Sequence, residues 1–104
     1  MNPIINGLLV VLAGALLCNA IPHLAAGLRG ESFPTPFAKP RGVGLSSPLT
    51  NVLWGSANLF FGAMGTLYHA PPLGRSAALA LLAVGFVGIG VYLAVHFGKV
   101  RADR

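Results

Sequence analysis

The chain has 104 residues, of which 55% are hydrophobic and only 9% charged, against about 25% charged in an ordinary soluble domain. So few charges cannot clothe a water-facing surface, and the single Cys18 rules out an intramolecular disulfide framework. The net charge of +5 comes from seven Lys and Arg set against Glu31 and Asp103; these flank apolar runs and form no basic face with interleaved aromatics, which suits anionic lipid headgroups and not nucleic acid.

Three stretches free of charge set the expected organisation. Ile4–Ile21 offers 18 residues before Pro22, Leu49–Tyr68 offers 20 and Ala77–Phe97 offers 21. A helix needs about 20 apolar residues to cross the hydrocarbon core, and none of the three alternates in the manner of an outer-membrane strand. The predicted fold class is therefore an all-α membrane protein. It is a single domain, 1–104, with three transmembrane helices at about 4–23, 48–69 and 76–98 and a Pro/Gly-rich loop over 24–47.

In the first helix, Met1-Asn2-Pro3-Ile4 has no basic n-region, so the segment reads as a retained helix and not a cleaved signal peptide. Leu17 stands where a lipoprotein site carries Gly or Ala before the Cys, so lipidation of Cys18 is not expected. Gly7 and Gly14 share a face with Cys18, a spacing that suits close helix crossing.

The connection that follows is rich in turn formers, with Pro34, Pro36, Pro40, Gly27, Gly30, Gly42 and Gly44. Proline fixes φ and biases the preceding residue toward extended backbone, so the segment is predicted to be an irregular loop folded against its own helices at the membrane interface. Phe33 and Phe37 favour an interface or a partner surface over water, and are candidate partner contacts. Gly42-Val43-Gly44-Leu45-Ser46-Ser47 lacks the Lys of a phosphate-binding loop and follows no strand.

Helix two carries the clearest pattern. Asn51, Gly55, Asn58 and Gly62 recur on one face, while Leu53, Phe60, Met64 and Leu67 fall opposite. Small residues allow close backbone approach and amides hydrogen-bond across helices, so the Asn/Gly stripe is the candidate partner-binding face, whether the partner helix is internal or external. In helix three, Ser76, Ala83 and Gly90 repeat at seven residues and Gly85, Gly88 and Tyr92 form a second face, a hint of a further helical partner or of self-association.

Arg29, Lys39 and Arg41 precede helix two, Lys99, Arg101 and Arg104 follow helix three, and only Arg75 lies at the opposite end. The bias predicts a topology with the N-terminus outside and the C-terminus in the cytoplasm. His23 and His96 then share the cytoplasmic end and His69 lies opposite, so no single site holds all three. No carboxylate or second Cys completes a ligand set near His23 and His96. Ordinary polar contacts are expected of the histidines, with no cofactor and no metal. Ser46, Ser47 and Ser56 have no evident base, and no intramembrane acid or base suggests catalysis.

Three classes remain: an accessory subunit of a membrane complex, an oligomeric small-molecule transporter or channel, and a haem- or quinone-binding subunit. Transporters mark their path with intramembrane charges or repeated broken helices, which are lacking here. The accessory subunit needs only the small-residue faces, the structured loop and the basic end. The strings LLVVLAGALLCNAIPH and FPTPFAKPRGVGLSSP, with the small size and Gly-rich helices, resemble protein W, an accessory subunit of the purple-bacterial reaction-centre light-harvesting core complex. The resemblance implies a non-catalytic subunit that interrupts the antenna ring and keeps a channel open for quinone and quinol exchange. Its implied partners are antenna polypeptides and the reaction centre, and its implied location is the bacterial inner (cytoplasmic or intracytoplasmic) membrane.

Overall fold

The structure is a computed structural model and describes residues 2–104. Among these, all regular structure is helical: α1 spans Pro3–Leu28, α2 Pro48–His69 and α3 Arg75–Ala102, with a short 3₁₀ turn at Pro71–Leu73.

Each helix starts and stops for a local reason. Asn2 caps α1 by accepting from the Ile4 N–H at 2.7 Å, with Pro3 in the first turn, where a missing N–H costs nothing. The helix does not end near residue 23 as expected but continues through Pro22 to Leu28. Pro22 removes one donor; the stop comes instead from Gly30, whose φ of 73° lies in the left-handed region. There Gly30 N–H donates to Gly27 O and Glu31 N–H to Ala26 O, the paired bonds of a Schellman motif. The loop is correspondingly shorter, 29–47. Ser47 caps α2 through Thr50 N–H at 3.1 Å, again with a proline following. Gly74, at φ 85°, turns the chain into α3, and that helix runs past residue 98 to Ala102 with Lys99 and Arg101 in its last turn, favourably placed for the helix dipole.

α1 is central. It packs against both α2 and α3, and no Cα of α2 comes within 8 Å of a Cα of α3. The molecule measures 44 × 24 × 20 Å. Two helices, α1 and α3, are long and apolar enough to cross a membrane. The expectation of three such helices is met only in part. α2 has 22 residues and no charge, but Thr50, Asn51, Ser56, Asn58 and Thr66 dilute its apolarity; freedom from charge and apolarity are separate properties, and α2 has the first only.

On the α3 side of α1, Gly14 lies against the Leu82 backbone and Gly85 against the Val11 carbonyl, so closely that no Cβ fits at either position. Gly90 meets Cys18, where a Cβ would stand 3.3 Å from the sulfur. The seven-residue face of Gly7, Gly14 and Cys18 is thus the α3 contact. On α3 the tightest approach is made by Gly85, a member of the expected second face, whereas Gly88 faces open space and Ser76 and Ala83 are exposed.

Candidate functional site

The Asn/Gly stripe of α2 is turned onto α1 of the same chain. Cβ atoms placed at Gly55 and Gly62 would meet Leu24 Cγ and Leu17 Cγ at 2.8 Å, with the Ala20 and Ala13 carbonyls at 3.2 and 3.1 Å. Glycine lets the two backbones close, and the amides between them then find partners. Asn19 Nδ2 donates to Asn58 Oδ1 at 3.0 Å, and Asn58 Nδ2 donates to the Trp54 carbonyl at 2.8 Å. At the loop end His23 Nδ1 lies 2.8 Å from Asn51 Oδ1, and at the opposite end His69 Nδ1 lies 2.9 Å from Asn6 Oδ1. All four stripe residues are buried within the chain, so as a surface for a second protein the stripe is already occupied.

The loop is tied to this ladder at its His23 end. Phe33 and Ser46 exchange backbone hydrogen bonds at 3.2 and 3.1 Å, forming an isolated antiparallel bridge. Thr35 is buried and its hydroxyl meets that of Ser46 at 2.6 Å. Asn51 stands beneath the bridge, its Nδ2 shared among the carbonyls of Phe33, Ser46 and Ser47 at 2.9, 3.3 and 3.0 Å. One fully buried amide therefore fixes both the loop and the end of α1. Because that NH₂ is committed to carbonyls, Oδ1 is the acceptor for His23, and the neutral imidazole carries its proton on Nδ1. His96 Nε2 donates to the Gly42 carbonyl at 2.7 Å, which puts its proton on Nε2.

Of the two loop aromatics, Phe33 is internal: its ring packs edge-on against Phe97 at 4.7 Å and His23 at 5.5 Å. Phe37 is 65% exposed and leans edge-on against Trp54 at 5.2 Å. Of the six residues singled out as partner contacts, Phe37 alone offers its side chain outward. His23 and His96 lie at the loop end and His69 at the other. Among the described residues no group of three His, Cys, Asp or Glu comes together for a metal.

Asn6, Asn19 and Trp54 were not among the sequence-derived candidates. For the two asparagines the signal was available in the pairing order: residue numbers on α1 rise as those of their partners on α2 fall, as an antiparallel pair requires. Trp54 stands apart, because its Nε1–H is buried with no hydrogen-bond partner. It lines a cleft of about 310 Å³ between α2 and α3, floored by α1 and closed at one end by loop residues Pro34, Thr35 and Pro36. A second, wider crevice beside the loop is bordered by Arg29, Arg101 and Arg104 with Glu31. The Arg29 guanidinium, hydrogen-bonded to Glu31 and adding its charge, holds that carboxyl below its ordinary range.

No protein-family model, curated protein or solved structure matches this chain.

Proposed function

We propose that the chain is an integral membrane subunit that crosses the bilayer three times, with its N-terminus outside and its C-terminus in the cytoplasm, and that it serves a larger bacterial inner-membrane complex as a non-catalytic accessory. The observation that carries the membrane reading is an inverted distribution of polarity. Asn51, Asn58, His23 and Asn6 are 0–3% exposed, whereas Val84, Val87 and Val91 of α3 are each 60% exposed and Leu53, Phe60 and Leu67 of α2 are 57–69% exposed. In water that arrangement would leave an apolar surface uncovered; in lipid it is the favourable one.

The same argument extends to α2. Of the polar residues that lower its apolarity, Asn51 and Asn58 are turned inward and bonded and Thr66 donates to the Gly62 carbonyl, so apart from Ser56 the face left for lipid is mostly Leu and Phe. Its 22 residues rise about 33 Å, enough for a hydrocarbon core of about 30 Å. The basic crevice at the loop end suits anionic lipid headgroups, and with it the loop end is assigned to the cytoplasm. Tags inserted after Arg104 and between Pro71 and Arg75 test the topology. The first is expected to be labelled only from the cytoplasm and the second only from outside; labelling of both from one side removes the three-span reading.

The accessory role rests on what the polar groups are doing: they hold helices together. The resemblance to protein W supports a specific host, an antenna ring that this subunit interrupts so that quinone and quinol pass. With the stripe occupied internally, the docking faces proposed for that role are the exposed apolar sides of α2 and α3 together with Phe37. Purification of tagged protein in mild detergent, with mass spectrometry and an absorption spectrum, tests the role. Antenna and reaction-centre polypeptides with near-infrared bands are expected, and a monodisperse homo-oligomer without pigment overturns the assignment.

A further inference from the structure

The cleft between α2 and α3 is lined mostly by apolar side chains, and no charged residue is among them. The Thr35 hydroxyl is already engaged by Ser46 and the Phe37 N–H; the other polar groups are neutral and incompletely used. Trp54 Nε1–H is a buried donor without a partner, and a hydrogen bond left unmade in a buried place is unfavourable. His23 and His96 both line the cleft, and each has one ring nitrogen engaged by the protein. The engaged nitrogens carry the protons, so His23 Nε2 and His96 Nδ1 remain as acceptors that no protein group fills. Asn19 Oδ1, on the floor, is likewise unused.

The Trp54 indole N–H lacks an acceptor while the free imidazole nitrogens and Asn19 Oδ1 lack donors, so the group that complements them is one that both takes and gives a hydrogen bond, a hydroxyl. The absence of lining charge calls for a neutral molecule, since an ion would be desolvated without compensation. Flat side chains, Trp54, Tyr92, Phe97 and the two imidazoles, with Pro34 and Pro36, form walls that favour a ring. The volume stands at the lower end for small-molecule sites, about 300–1,000 Å³. That is room for one substituted ring and too little for a macrocycle.

We propose that this cleft binds a neutral phenolic amphiphile, its hydroxyl donating to an imidazole nitrogen and accepting from the Trp54 indole, its alkyl tail leaving between α2 and α3. The site rests on the three-helix fold alone and is independent of which complex the subunit joins.

Trp54 is the sole tryptophan, so the full chain labelled with ¹⁵N-tryptophan in micelles gives a single indole N–H signal. Titration with 4-octylphenol is expected to move that proton downfield along a saturating curve. The methyl ether 4-octylanisole, which accepts but cannot donate, is expected to bind about tenfold more weakly, the worth of one hydrogen bond, and octylbenzene to give no saturable shift. Ala15→Phe, which fills the floor, should abolish the response while leaving the remainder of the spectrum folded. If that variant does not fold, Leu93→Phe on the α3 wall makes the same test. An unsaturating drift that is unchanged in the filled variant would mean partition into detergent and overturn the site. An equal response to octylbenzene would overturn hydroxyl recognition, and no shift with the phenol would leave the indole N–H for a backbone carbonyl of another chain and refute the proposal.

Discussion

The two sides of α1 are joined to their neighbours by different physics. Toward α2 the contact is a ladder of amides and imidazoles running from Asn6–His69 through Asn19–Asn58 to His23–Asn51. Toward α3 it is backbone against backbone at Gly14 and Gly85, filled in by aliphatic side chains. Hydrogen bonds are directional and fix register, while small-residue packing is short-ranged and fixes distance. One side should therefore be sensitive to the loss of polar groups and the other to the gain of bulk.

Gly85→Leu tests the second half of that contrast and has the largest expected effect. Its Cβ would fall on the Val11 carbonyl, which cannot rotate away, whereas Cβ atoms at Gly55 and Gly62, in the double variant Gly55→Leu with Gly62→Leu, first meet Leu24 Cγ and Leu17 Cγ, side-chain atoms that can shift, with backbone atoms no closer than 3.0 Å. Overpacking costs roughly 1–3 kcal/mol where neighbours can yield, and more where they cannot. Unfolding by SDS titration should rank Gly85→Leu below the double variant. The sole cysteine locates the damage. Cys18 packs at Gly90, so maleimide alkylation should accelerate in Gly85→Leu and stay slow in the α2 variant. Equal rates would mean that the two interfaces fail together.

Asn51→Leu sharpens the polar half. It keeps bulk nearly constant but strands His23 Nδ1–H and takes one of two donors from each of the Phe33, Ser46 and Ser47 carbonyls, an expected loss of about 2 kcal/mol. The loop should loosen first, seen as faster amide exchange at Phe33 and Ser46, whose mutual bridge Asn51 supports. Unchanged exchange there would remove Asn51 from its organising place. The smallest effect is expected at Glu31. Its carboxyl titrates lower in the folded chain than in the unfolded one. Its contribution is therefore present above the unfolded value and lost as pH falls through the folded one. Both partners are more than half exposed, so solvent screens the pair, and Glu31→Gln should unfold indistinguishably from the parent between neutral and acidic pH. A clear difference would make the Arg29–Glu31 pair part of the fold.

What the sequence made legible follows the same division. The stripe on α2 could be read because helical periodicity puts Asn51, Gly55, Asn58 and Gly62 on one face, yet periodicity says only that a face is special, not what covers it. Its cover is α1, and Phe33 likewise turned out to pack on His23 and Phe97. Pro22 misled the end of α1, since a proline weakens a helix by one bond whereas Gly30 in a left-handed conformation ends it. Gly85 was visible as a small residue but could not be ranked above Gly88 or Gly90, because the closeness of two backbones is a tertiary property. Trp54 left no sequence signal, for an unmet donor exists only once its surroundings are built.

The order of the ladder also bears on how the chain is made. On the three-span reading proposed above, α1 enters the bilayer alone and carries Asn6, Asn19 and His23 without the partners that α2 will supply. A single helix with exposed amides is a poor resident of hydrocarbon, and it resembles the orphan segments that membrane quality control removes. On that reading synthesis of α2 satisfies those groups from the loop end to the far turn, and the first two helices would then lodge as a hairpin. α3 arrives afterwards, and asks of its neighbour only a smooth place to lie.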